Sequence, residues 1–281
     1  MYILKNKFYL FLVFIIDIFG YTLSLPFKLF EKTRLPKDIE NILVVRLDHI
    51  GDVVFATPAL KALKEKFKNA KITVLVGSWA KEILSNNPHI DEILVYDAPW
   101  FRRKREKNDS FWKMVKNLHR NQFDLGIDLR GDFRNIMLLW LAGIKRHIGY
   151  GITGGGFLLT DKIPYKKEKH EVEHNLDLIH VLGVQPNYNK TELFLDKRDI
   201  IWSLDFLKKE GLDNSDILVG IHSLAGTQSK MWSTKKFSEV IDALIRDFNI
   251  QIILVGDDPD ACPEIYSSIK NKVINAIGKT T

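Results

Sequence analysis

Residues 42–63 read Ile42-Leu-Val-Val-Arg-Leu-Asp-His-Ile-Gly-Asp-Val-Val-Phe-Ala-Thr-Pro-Ala-Leu-Lys-Ala-Leu63. Ile42 to Val45 is an unbroken aliphatic run of strand length, and a run of that kind reads as a strand buried on both faces. From Pro58 the spacing changes, with Leu60, Leu63 and Phe67 recurring at helical intervals, and Ile72 to Val76 is again strand-like. Strand, amphipathic helix and strand in succession make one βαβ unit, which predicts a parallel sheet covered by helices. Further strands are expected at Glu92–Tyr96 and Leu125–Leu129, with a helix over Phe111–Leu118 between them. A second system starts at Ile217–Ile221, continues through a helix from about Thr234 to Phe248 and returns as Ile250–Val255. The expectation is an α/β protein with two Rossmann-like halves, residues 39–185 and 216–281. They are joined by a connection over 186–215 that contains a helix-like stretch, Ile200–Glu210.

The chain has 281 residues, enough for two domains of ordinary size, and its apolar content is that of a globular protein. The net charge of +6 is modest and dispersed. Its densest run, Arg102, Arg103, Lys104, Arg105 and Lys107, lacks interleaved aromatics or a nucleic-acid motif, so it reads as a solvated loop and no nucleic-acid partner is expected. An anionic lipid or glycolipid surface is the other reading of that run. A single cysteine, Cys262, excludes an internal disulfide and a cysteine metal cluster, in keeping with the cytoplasm.

Residues 1–38 form a separate N-terminal segment. Phe8 to Ile16 is apolar, Asp17 interrupts it, and Ile18 to Phe27 continues apolar with Gly20 and Pro26, with lysines on both flanks. A full span needs about 20 apolar residues, and a carboxylate near its middle is costly, so the segment reads as a tilted interfacial anchor. The competing reading is an extra helix packed on the core. The run continues into Lys28-Leu-Phe-Glu-Lys32 without a small-residue cleavage site, which argues against a signal peptide.

Arg46-Leu-Asp-His-Ile-Gly-Asp52 lies between a strand and a helix, where open α/β sheets face their ligand crevice. Gly51 is expected to allow a turn that a β-carbon would resist. Asp52 then stands at a helix start, either as a base that takes a proton from a sugar hydroxyl or as a plain N-cap, and Asp48 competes for the same role. His222-Ser-Leu-Ala-Gly-Thr-Gln-Ser-Lys-Met-Trp232 occupies the equivalent position in the second half. A small-residue turn at a helix N-terminus offers backbone N–H groups from around Gly226, hydroxyls from Thr227 and Ser229, and the charge of Lys230. Those are the groups a departing diphosphate needs. Trp232 reads as packing beneath the loop. Asp258 and Asp260, after the last clear strand, have Asp-x-Asp spacing; a proline turn or a ribose contact ranks above a metal. Arg130 and Arg134, in Asp128-Leu-Arg-Gly-Asp-Phe-Arg134, meet either an anionic acceptor or a loop carboxylate. His170, His174 and His180 read as ordinary loop or helix residues.

The 42–63 stretch resembles the opening of the lipopolysaccharide heptosyltransferases, glycosyltransferase family nine. Phe123-Asp-Leu-Gly-Ile-Asp-Leu-Arg-Gly131, a turn at Arg146–Tyr150, the His174-Asn-Leu-Asp-Leu-Ile block, His222–Trp232 and Leu254-Val-Gly256 are similar to that family in the same order. The resemblance, which runs from about Asn41 to Thr281, implies a GT-B fold with an N-terminal acceptor half and a C-terminal donor half that close on each other. It implies inverting, metal-independent transfer of heptose or a related sugar from an ADP-sugar, with no cofactor, to a lipid-anchored core saccharide at the inner face of the cytoplasmic membrane. On this chain Asp52 would be the base and Lys230 the stabiliser of the leaving diphosphate. Gly226, Thr227, Ser229 and Asp258 would assist on the donor side, and Arg46, Arg130 and Arg134 on the acceptor side. Two departures stand out. Ser233 replaces a proline common in the family, and the family's next helix, strand and Asp-Ser-Gly-Pro-x-His-type loop lie beyond Thr281, so an incomplete donor half is expected. An inactive glycan- or nucleotide-binding fragment is the alternative function, and a metal-dependent transferase using Asp258 and Asp260 a third.

Overall fold

The computed structural model describes residues 7–30, 39–101, 109–212, 217–225, 228–256, 265 and 268–279. The basic run 102–107, Gly226, Thr227, Asp258, Asp260 and Cys262 lie outside the described residues. The chain divides into two compact units, Met1–Leu195 and Asp196–Thr281.

The first unit begins with α1 (Lys7–Phe30), followed by β1 (Asn41–Val45), α2 (Ile50–Val54), α3 (Thr57–Lys66), β2 (Lys71–Val76), α4 (Lys81–Leu84) and β3 (Glu92–Val95). It continues with α5 (Phe111–Asn121), β4 (Leu125–Asp128), α6 (Phe133–Leu141), β5 (Arg146–Gly149), β6 (Asp161–Lys162) and α7 (Glu171–His180). The strands form one sheet in the order β3-β2-β1-β4-β5-β6, and every pairing is parallel. Because side chains alternate along a strand, β1 feeds two cores at once. Ile42 and Val44 join the layer that contains Leu60, Leu63, Leu178 and Ile179. Leu43 and Val45 join the layer with Leu118, Leu138 and Leu139. These four β1 side chains are fully buried, and each contributes roughly 1.5–3 kcal/mol of transfer free energy.

The chain reverses direction across the sheet between β1 and β4, so the segments leaving the carboxyl ends of these two strands diverge and open a crevice. Arg46–His49 leaves β1 there and Leu129–Asp132 leaves β4. Of residues 146–150, expected as a turn, Arg146–Gly149 instead form β5, paired with both β4 and β6. The segment carries little strand pattern of its own. Tertiary contacts hold it, with Arg146 forked onto Asp161 at 2.9 and 3.1 Å.

The second unit contains α8 (Lys197–Lys209), β7 (Leu218–His222), α9 (Thr234–Phe248), β8 (Gln251–Val255) and β9 (Ile274–Asn275). Its strands form a parallel sheet in the order β7-β8-β9. The core gathers Ile241 of α9 with Ile252, Leu254, Ile265 and Val273. The helix-like stretch expected at 200–210 is α8, which belongs to this unit and buries none of its residues.

Candidate active site: two strand-to-helix turns

The turn after β1 is built around Arg46. Its side chain is buried, and Nη1 donates to the Leu129 carbonyl at 2.7 Å, which ties the β1 and β4 crevice segments together. Nη2 lies 2.9 Å from Glu171 Oε1, 3.5 Å from Asp52 Oδ1 and 3.7 Å from Asp48 Oδ2. One guanidinium therefore sits beneath three carboxylates, and it faces them rather than solvent. The expected acceptor contact of Arg46 does not fit this burial; the geometry makes it a positioning group for Asp52.

Asp52 sits in the first turn of α2, where the helix dipole favours a carboxylate. The residue preceding that helix is His49, and no side chain caps it by hydrogen bond, so Asp52 does not act as the cap. Burial raises its pKa above the ordinary carboxylate value, the adjacent Asp48 carboxylate raises it further, and Arg46 pulls it back down. The Asp52 side chain is 30% exposed, whereas that of Asp48 is 12% exposed. Asp48 accepts from the His49 N–H at 2.9 Å and pairs with Arg130 at 3.2 Å. Asp52 is thus the carboxylate more open to a substrate hydroxyl. The expected turn role of Gly51 is corrected: it lies within α2, outside the positive-φ glycines, and an added β-carbon would meet nothing within 4 Å. Its missing side chain leaves the surface beside Asp52 open.

The turn after β4 brings the other two arginines to the same crevice. Arg130 Nη1 donates to the Leu47 carbonyl at 2.7 Å, and its guanidinium lies 4.8 Å over the Phe101 ring. Arg134 forks onto Asp132 at 2.8 and 2.6 Å and lies 5.1 Å over Trp100. Asp132 also caps α6 by accepting the Arg134 N–H. Burial would push the Asp132 pKa up, but the Arg134 bonds and the Arg130 charge outweigh it and hold it low. Both arginines keep partly exposed side chains, 30% and 42%, so each retains donor directions toward solvent. Beneath them, Asp128 at the end of β4 is fully buried, and burial pushes its pKa up to about 7 against the bond from Asn135.

Sequence reasoning missed the contribution of α7. Glu171 meets Arg46, and Asn175 Nδ2 donates to the Phe55 carbonyl at 2.9 Å, fastening α7 to the end of α2. His174 is buried, its Nδ1 3.2 Å from Glu171 Oε2 and its Nε2 2.8 Å from the Lys166 carbonyl. Burial would raise the Glu171 pKa, but Arg46 and His174 more than offset this and lower it. His170 caps α7 in a reciprocal capping box with Glu173. The run His170-Glu-Val-Glu-His-Asn175 held the signal, but its partner Arg46 lies 125 residues from Glu171. A hollow of about 560 Å³ lined by Phe55, His170 and Lys190 adjoins α7, but neither Asp52 nor an arginine lines it.

In the second unit Ser229 and Lys230 occupy a short 3-10 turn, Gln228–Lys230, between β7 and α9, and both are exposed. The first turn of α9 contains no acidic residue and carries Lys235 and Lys236, so dipole and side chains present the same positive sign to an anion. Trp232 is 48% exposed, with its ring 5.0 Å from that of Phe237; it flanks the turn rather than lying beneath it. Ser233 stands at the α9 N-cap without a side-chain capping bond. The sites expected at Gly226, Thr227 and Asp258 lie outside the described residues.

A parallel six-stranded sheet with charged groups at its reversal point, and a second parallel unit with a cationic strand-to-helix turn, define an α/β protein built of two Rossmann-like units. The same fold is found in an ADP-heptose lipopolysaccharide heptosyltransferase II of Escherichia coli (TM-score 0.67, 20% identity, 85% of this chain and 73% of that one). The sequence profile of glycosyltransferase family 9 (heptosyltransferase) matches residues 111–281. A lipopolysaccharide heptosyltransferase 3 of Escherichia coli is 30% identical over 245 residues, 82% of this chain and 69% of the relative. A Haemophilus influenzae protein assigned provisionally as a glycosyltransferase is 27% identical over 227 residues, 78% of this chain and 64% of that protein. The chain belongs to glycosyltransferase family 9. It spans about two thirds of the length of the curated relatives it matches.

Proposed function

We propose that this chain transfers heptose, or a related sugar, from an ADP-sugar to a lipid-anchored saccharide of the lipopolysaccharide core type, at the inner face of the cytoplasmic membrane. The observation that carries the reading is Asp52, a partly exposed carboxylate of raised basicity held at the sheet reversal by Arg46. In the reaction Asp52 takes the proton of the acceptor hydroxyl as that oxygen bonds to the anomeric carbon. The bond from that carbon to the diphosphate breaks on the opposite side, which inverts the centre. ADP departs with both electrons, its charge met by Lys230 and by donors at Ser229, Thr227 and Gly226, while Asp258 receives the ribose. General base and anion stabiliser divide the work, and Lys230 supplies positive charge without a metal. Arg130 and Arg134 hold anionic groups of the acceptor. The family relationship supports the reaction class, and the similarity to an ADP-heptose lipopolysaccharide heptosyltransferase makes ADP-heptose and lipopolysaccharide the substrates to try.

The donor unit is read as partial, because α8 buries no residue and β7 is at most half-buried along its length. That favours a second reading, binding without turnover. Incubation with ADP-heptose and a lipid-linked core acceptor, with and without a chelator, separates the readings. Product formation insensitive to chelation supports the proposal. Tight ADP binding without product supports the second reading, and loss of activity on chelation supports a metal.

A further inference from the structure

Helix α1 reverses the pattern of a soluble surface helix. On a wheel of 100° per residue, Leu10, Val13, Asp17, Gly20, Tyr21 and Ser24 fall within an arc of about 100°. All six of these residues are buried or half-buried, Asp17 being 2% exposed. This inward strip is small or polar at most positions, and it docks on the glycine-rich turn after β5. Asp17 Oδ1 accepts the Gly155 N–H at 2.8 Å, and Tyr21 Oη accepts from Lys162 Nζ at 2.7 Å. The fit is close enough that a β-carbon on Gly20 would stand 2.5 Å from the Phe157 ring, and one on Gly154 would stand 2.5 Å from Val13. The outward face is apolar, with Phe8 66%, Phe11 60%, Phe14 52%, Ile18 49%, Phe19 65% and Leu23 71% exposed. Thr22, also outward, donates to the Ile18 carbonyl at 2.8 Å, so its hydroxyl needs no water.

Polar inward and apolar outward is the arrangement of a helix whose outer solvent is lipid. Phe8–Leu25 is long and apolar enough to cross a membrane. Its long side, however, is occupied by the sheet domain from Val13 to Tyr21, and a spanning orientation would carry that domain into the bilayer. Lys5 and Lys7 precede the apolar run and Lys28, Lys32, Arg34 and Lys37 follow it, which complements anionic headgroups at both ends. Asp17 does not impose the cost of a carboxylate in lipid, since it faces Gly155. We infer that α1 lies in the plane of an anionic lipid bilayer, its outer face in the acyl region and its inner strip clasping the acceptor domain. The inference takes its surface from the membrane-face reading above and adds the orientation. The docking turn reaches the acceptor arginines, because the Thr153 hydroxyl donates to the Gly131 carbonyl and accepts the Phe133 N–H. The anchor thereby sets the height of Arg130 and Arg134 above the lipid.

Spin labels on the full chain test this, placed one at a time by Phe8→Cys, Leu12→Cys, Ile16→Cys, Phe19→Cys or Leu23→Cys in a Cys262→Ser background. On the wheel these positions share an outward arc of about 80°. Depth is read from collisions with oxygen and a water-soluble quencher on phosphatidylglycerol and phosphatidylethanolamine vesicles. An in-plane helix places all five labels at one depth within a few ångströms. A spanning helix, rising about 1.5 Å per residue, places Phe8→Cys about 12 Å shallower than Ile16→Cys, which would overturn the orientation and leave the membrane reading standing. Labels as accessible to the aqueous quencher as without vesicles would overturn both. Labels shielded in a lipid-free dimer would assign the face to a second copy and overturn the inference.

Discussion

The turns after β1 and β7 occupy equivalent places in their units, yet they are made in opposite ways. Around Asp52 a buried arginine, two further carboxylates and a distant helix hold the functional group in place. Around Lys230 the side chains are exposed, and the positive field comes from local sequence and the start of α9. A base must have its protonation and direction set before substrate arrives, which takes buried partners. An anion site can be assembled from backbone and solvated lysines, because the ligand brings the charge that orders it. Under the proposed reaction, the difference teaches where to look: substitutions in the first turn should act through stability and pH, and those in the second through affinity for ADP.

The largest effects should separate the two turns. Asp52→Asn should lower turnover by about 10²–10⁴-fold while the calorimetric affinity for ADP stays unchanged. Lys230→Ala should lower turnover by about 10²–10³-fold and weaken ADP binding as well. Equal loss of ADP affinity in both variants would erase the division of labour.

Next in size is the buried arginine. Arg46→Met removes the counter-charge of Glu171, Asp52 and Asp48 together, and breaking a buried ion pair costs roughly 3–5 kcal/mol. Glu171 and Asp52 are each about one-third open to solvent, so the lower end, about 3 kcal/mol, is expected in denaturant unfolding of the first unit. A stability unchanged from wild type would show that Arg46 does not organise this turn.

Both parallel sheets were legible because aliphatic runs alternating with helical periodicity are local properties of the chain. Ile42–Val45, Ile72–Val76 and Gln251–Val255 needed no tertiary information to be read as strands. The strands missed at Arg146–Gly149, Asp161–Lys162 and Ile274–Asn275 are short, and neighbouring strands hold them in place. At the site, sequence position alone placed Asp52, Lys230 and the arginines on turns at strand ends. The burial of Arg46 and the roles of Glu171 and Asn175 could not be read, because those contacts cross more than a hundred residues of chain. The partner of Asp17 could not be read for the same reason: the N–H it accepts belongs to Gly155, 138 residues away.

The most direct test of a wired base is the pH dependence of kcat/KM in wild type and Glu171→Gln. Asp52 must be ionised to act, so its raised pKa puts the acid limb of the wild-type profile above the ordinary carboxylate value of about 4. Glu171 raises the Asp52 pKa through its charge and engages the Arg46 Nη2 that also faces Asp52. Its neutralisation should therefore move the acid limb to lower pH, with turnover retained on the plateau. A limb that stays in place, or moves to higher pH, would contradict the account of Asp52 as a base tuned through Arg46 and Glu171.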